Sequence, residues 1–284
     1  MAEPVLARVQ TRNTPAENLR LHLLRNRAHH DALAADAGLA ARLRALRQWQ
    51  SKRMHRTHAD LLANKATGDA LRFLIDQVYC GQDYSTRAAD IEQAYPLMVR
   101  FLPRRVLQTA AVAMRLYVLT KELDRRLADC LFLQLDAADL HDDIVAQAYR
   151  LTGDYRQRAQ QIELVRELGL TLTQYTRSNV FSTALRIATA PARVFGLGDL
   201  HQLLTDGFDA FRRGAASSTR ADGIAHTSPA EPRAGGDSVV STMARRELRA
   251  LDRVHADAAN PFAPDEHDGT GNGARQRTAD ASFA

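Results

Sequence analysis

The residues of this 284-residue chain that could do chemistry are acids and histidines at helical spacing. In "DLHDD", Asp139 to Asp143, a His141–Asp142 pair sits beside two aspartates four residues apart. A His-Asp pair can bind a metal, and paired acids can hold magnesium pyrophosphate. Both chemistries need a second acidic or histidine-bearing motif, and none is evident. The alternative is an acidic first turn that complements a helix dipole. His55 and His58 lie one turn apart, and His22 and His29 two turns apart, so either pair could hold one side of a metal. A metal needs further ligands, which the sequence does not place nearby. Glu-x-x-His, His-Glu-x-x-His, a Walker loop and Cys-x-x-Cys are all missing from the sequence, and the expectation is no metal and no cofactor.

A second group of candidates lies in "FLIDQVYCGQDYSTR", residues 73 to 87. Phe73 to Tyr79 reads as a helix that stops at Gly81. Leu71, Leu74, Ile75 and Val78 share one face, and Asp69, Phe73, Asp76 and Cys80 share another. Asp76 then pairs at the surface or against a neighbouring helix, with Arg72 or Arg87 as the partner in reach. Phe73, Asp76, Tyr79, Asp83 and Arg87 are the candidate binding residues here, and a structural ion-pair cluster is the competing reading.

A third group is the face carrying Trp49, Lys52, Arg53 and Arg56. An aromatic beside cations suits single-stranded nucleic acid or anionic lipid, which puts Trp49 and Arg53 among the binding candidates. The simpler reading is a solvated face with the indole packed on arginine stems. "GLGDL", residues 196 to 200, could cradle a phosphate, but no strand precedes it and a helix-to-helix turn explains it better.

The elements that must position these residues are helical throughout. Leu and Ala dominate the apolar content, which is 45% of the chain; unbranched side chains lose little freedom in a helix, so the fold class is all-α. The pattern predicts helices from Pro15 to about Asp31, from Leu39 to Ala63 with Gln50 and Thr57 on the buried seam, and from Ser85 onward with a kink or break at Pro96. A long central helix follows Pro103, apolar nearly all round from Val106 to Leu119 and then narrowing to Leu123, Leu127 and Leu131. Further helices run over Asp139–Leu151, over Asp154–Arg177 with Asp154 as N-cap, over Asn179–Ala190 and Asp199–Arg213, and from Val239 to about Ala258. Short connections point to an antiparallel bundle.

The domain organisation read from composition is a flexible N-terminus (1–13), a helical domain (14–214), a disordered insertion (215–237), a C-terminal helix of the same domain (238–262) and a disordered tail (263–284). Cys80 and Cys130 read as buried free thiols or one disulfide. The net charge of +5 is ordinary for a soluble domain. No run is long and apolar enough to span a bilayer, and the expected setting is a bacterial cytoplasm.

"LRQWQSKRMHRTHADLLA", "FLIDQVYCGQDYSTRAADIEQAYPLMVRFLP", "LTKELDRRLADCL" and "AYRLTGDYRQRAQQIELVRELG" together resemble the bacterial proteins named for a Phe-Phe-Leu-Glu-Glu-Leu-Tyr motif. The motif stands here as Phe73-Leu74-Ile75-Asp76-Gln77-Val78-Tyr79, with Leu74 for the second aromatic and Asp76-Gln77 for the acidic pair. The lost carboxylate argues for a structural role of that pair. The resemblance implies one coherent helical domain and carries no activity with it. The leading expectation is a non-catalytic binding or scaffold module with a protein partner. The alternatives are an enzyme using Asp76, Glu122, Asp124 or Asp142-Asp143, and a basic peripheral module for nucleic acid or anionic membrane.

Overall fold

A computed structural model describes residues 14–64, 67–79, 85–176, 182–183, 185–186, 189, 198–222 and 238–264. Among them there are helices and no strand. Helix α1 spans Pro15–Ala35 and opens on a capping box, in which Thr14 and Glu17 satisfy each other's first-turn groups. Asp36 ends α1 and caps α2, Ala37–Thr57, by accepting from the Leu39 N–H at 3.0 Å. The predicted single helix Leu39–Ala63 is broken at His58, and a short α3, Ala59–Ala63, follows.

Gly68–Phe73 forms α4, which widens into a π-turn over Leu74–Tyr79, on the stretch the sequence reads as an ordinary helix. Helix α5, Ser85–Phe101, runs on through Pro96 without a break. Helix α6, Arg104–Asp129, is the predicted central element and continues as a π-turn over Cys130–Gln134. Helix α7, Asp142–Thr152, starts three residues later than expected, with Asp142 and Asp143 in its first turn. It ends at Gly153, whose φ of +64° is the left-handed cap conformation that glycine adopts without strain.

Helix α8 covers Tyr155–Thr176, α9 covers Gly198–Asp222 and α10 covers Val239–His255. Helix α9 therefore extends through 215–222, which the sequence assigns to the insertion. The rest of that insertion, the predicted helix at 179–190 apart from five residues, and the tail beyond Pro264 lie outside the described residues. So do Gly196, Cys80 and Gly81.

Helix α6 sits at the centre, and side-chain contacts fix the sense of its neighbours. Against α2 it is antiparallel, with Arg42 reaching Asp129 and Gln50 reaching Asp124. Against α8 it is again antiparallel, through Asp124–Arg158, Thr120–Gln161 and Thr109–Tyr175. Helix α1 runs parallel to α6 instead, with Leu19 near Leu107 at one end and Asn26 bonded to Lys121 further along. The core joins Leu46, Leu127, Leu131, Val145 and Val254 in one cluster and Met54, Leu71, Ile75, Leu116 and Met243 in another. Gln50 and Thr57 lie on the buried seam as predicted, each 2% exposed.

Helix α9 covers the second face of α4. Phe73 packs edge-on against Phe211 with ring centroids 6.4 Å apart, and its ring lies so close to Gly207 that a Cβ there would be 2.5 Å from Cζ. Gly207→Ala is expected to push the Phe73 ring out of this contact and lower stability by about 1–3 kcal/mol, less the gain in helix propensity. Urea unfolding measures it, and a midpoint equal to wild type would mean that Phe73 is not held there.

Candidate functional site

Helix α10 carries Val240, Met243, Glu247, Leu251 and Val254 at spacings of three and four, so a glutamate stands on its apolar face. Helix α2 carries Arg53 between Gln50 and Thr57 on its own buried seam. Packing the two faces together buries the pair: Arg53 Nη1 donates to Glu247 Oε1 at 2.6 Å and to Oε2 at 2.7 Å. His58, fully buried at the end of α2, has Nε2 at 2.8 Å from Glu247 Oε1. Burial alone would raise the Glu247 pKa, but Arg53 and His58 outweigh it and bring the carboxyl down to about 2. One residue earlier on α10, buried Arg246 holds Asp60 by two bonds of 2.7 and 2.9 Å. That pairing keeps the Asp60 carboxyl below its ordinary range, against the opposing effect of partial burial.

A second buried array joins α2, α6 and α8. Asp124, 1% exposed, accepts from Gln50 Nε2 at 3.0 Å and from Arg158 Nη1 at 3.3 Å. Arg158 also donates to Gln161 Oε1, and Gln161 in turn donates to Thr120. The Arg158 guanidinium lies over the Tyr149 ring, 5.0 Å from its centroid. Arg53, Glu247, Arg158 and Tyr149 line one small crevice, and Phe262 closes it. Phe262 is held there by Trp49 edge-on at 5.4 Å, by Arg53 over its ring and by the Thr57 hydroxyl donating to its carbonyl.

The candidates read from the sequence now have places. Asp76, on the π-turn, pairs with His55 Nε2 at 3.3 Å rather than with Arg72, and both groups are about one-third exposed. His55 Nδ1 faces the Ser51 carbonyl at 2.9 Å, so His55 and His58 serve different partners and do not converge on a metal. Among the described residues no group of three or more His, Cys, Asp or Glu side chains could hold a metal ion. Arg72 pairs with Asp69, which also takes Arg213 from α9. Asp83 and the side chains of Tyr79 and Arg87 lie outside the described residues.

The basic face of α2 needs correcting. Arg53 is buried beneath α10 and Trp49 packs on Phe262, while exposed Arg56 pairs with Asp142 at 2.6 Å beside exposed Lys52. Asp154 does not cap α8 with its carboxylate, which is taken by Arg126. Cys130 is a free, buried thiol whose pKa is raised by burial. His22 is buried on α1, and burial, reinforced by Arg25 and Arg115, lowers its pKa from 6.5 to about 4.

These arrangements set the acid response of the fold. Between pH 6.5 and about 4 the unfolded chain holds a proton on His22 that the folded chain lacks, so stability falls as pH falls through that window. Glu247 acts in the same direction between pH 4.5 and about 2, where the unfolded carboxyl protonates first. Urea midpoints recorded from pH 7 downward are expected to fall across both windows, and His22→Gln to flatten the upper one. A flat profile from pH 6.5 to 4 in the wild type would contradict the burial of a neutral His22.

A family model described as Domain of unknown function (DUF8198) matches residues 29–221, more than half of the chain. The chain belongs to this family. No curated protein and no solved structure matches. The family match takes in α2, α6 and α8, and so the Asp124 array, but not α10. The Arg53–Glu247 pair therefore joins a helix inside the matched region to one outside it.

Proposed function

We propose that this chain is a cytosolic, non-catalytic helical module that works by binding. The observation that carries the reading is where its acids go. Of the acids offered for catalysis, Asp76, Glu122, Asp124 and Asp142 are each met by a histidine or arginine from another helix, His55, His29, Arg158 and Arg56, while Asp143 stands exposed in the first turn of α7. Their charge ties helices together. The likeness of Phe73–Tyr79 to the Phe-Phe-Leu-Glu-Glu-Leu-Tyr motif belongs to the same reading, since Phe73 serves as a contact for α9 and Asp76 as a tie to α2.

Neutralising the most buried of these acids tests the proposal. Polar residues kept for activity tend to cost stability, so replacing them commonly leaves a protein as stable or more so. A structural carboxylate behaves oppositely. Asp124→Asn is expected to lower the urea midpoint; an unchanged or higher midpoint would favour the enzyme reading.

A further inference from the structure

Four of the large apolar side chains that remain exposed lie in two stretches rich in arginine. On α1, Leu21 and Leu24 are 39% and 58% exposed, interleaved with exposed Arg20, Arg25 and Arg27. At the α5–α6 corner, Val99 and Phe101 are 41% and 67% exposed, beside exposed Arg100, Arg104 and Arg105. No carboxylate lies between Asn18 and His30, or between Gln93 and Thr109, in the sequence. The two stretches border one hydrophobic cluster, in which Leu19 and Leu23 of α1 pack with Met98, Leu102 and Leu107. The Tyr95 hydroxyl, donating to the Ala16 carbonyl at 3.1 Å, pins α5 to the start of α1.

We propose that this surface docks on an anionic lipid bilayer. Arginine heads meet lipid phosphates and carboxylates while their stems lie along apolar surface, and the protruding Leu24 and Phe101 enter the headgroup layer. Three of the four exposed apolar side chains, Leu21, Leu24 and Val99, offer no ring on which a base could stack, and the Arg100 guanidinium lies over the ring of the fourth, Phe101, so an apolar layer with anionic heads suits this surface better than nucleic acid. No helix among the described residues is long and apolar enough to cross a membrane, so the contact is peripheral. The proposal rests on the reading of the chain as a binding module, but it uses none of the buried ion pairs. Its failure would leave the Asp124→Asn result standing.

Co-sedimentation of the full chain with phosphatidylcholine vesicles, with and without phosphatidylserine, tests it. Binding is expected only with phosphatidylserine, and to be released by salt. The pair Arg25→Glu and Arg27→Glu is expected to weaken it by at least about tenfold. Leu24→Asp and Phe101→Asp are each expected to weaken it with unfolding midpoints unchanged. Absence of binding to phosphatidylserine vesicles, equal binding by the arginine variant, or retention on an oligonucleotide alone would overturn the proposal.

Discussion

Replacing Glu247 by alanine is expected to cost about 3–5 kcal/mol, because it leaves the buried Arg53 guanidinium without its counter-charge. Arg53 is 3% exposed and Glu247 5%, so water screens neither group, and both carboxylate oxygens accept from Arg53. His58, fully buried, loses its acceptor in the same step. The loss is seated between α2 and α10, so the variant should free α10 first. Amide exchange over Val239–His255 is expected to speed up well before that of α6, alongside the lower urea midpoint. Replacing the pair together by apolar residues of similar volume is expected to recover much of the loss, because the desolvation cost of both charges disappears.

The Asp124→Asn change acts at the other array and is expected to cost about 3 kcal/mol. Asparagine keeps an oxygen for Gln50 and Arg158, so the hydrogen bonds survive in number. What disappears is the negative charge beside Arg158, a cation 4% exposed that has Tyr149 on one side and Gln161 on the other. Tyr149 and Gln161 are neutral, and a neutral partner offsets less of the desolvation of a buried cation than a carboxylate does. Equilibrium denaturation in urea measures the loss. Arg158→Met on the Asp124→Asn background should then cost little more, since the charge it removes has already lost its counterpart.

Much of this was legible along the chain. The seam of α2 was readable because Gln50 and Thr57 interrupt an otherwise apolar series, and an interruption on a buried face requires a polar partner. Arg53 sits three residues from Gln50 and four from Thr57, so the same spacing placed it inward; the nearby Trp49, Lys52 and Arg56 made it look like part of a solvated face. Glu247 carried an equal signal, a glutamate four residues from both Met243 and Leu251 on one helix face. Nothing local says that these two interruptions answer each other across 194 residues of chain.

The turn geometry was less accessible. The π-turns at Leu74–Tyr79 and Cys130–Gln134 follow ordinary helical sequence, and only tertiary packing selects the wider winding there. Asp36 went unread as a cap because the alanines around it suit a helix and mask the boundary. The spacing put Asp76 on one face with Phe73 and Asp69, whereas those two meet α9 and Asp76 meets α2. Its partner was missed because His55 lies on another helix, whereas Arg72 and Arg87 are near in sequence.

The central claim is that the charges buried between helices work as pairs, so that removing one member alone destabilises the fold, and a double-mutant cycle on Arg53 and Glu247 tests it most directly. Arg53→Met, Glu247→Leu and the double variant would be unfolded in urea beside the wild type. The account expects each single variant to be clearly less stable, the double to be more stable than either, and a coupling above about 2 kcal/mol. Effects that add to within about 0.5 kcal/mol would contradict it.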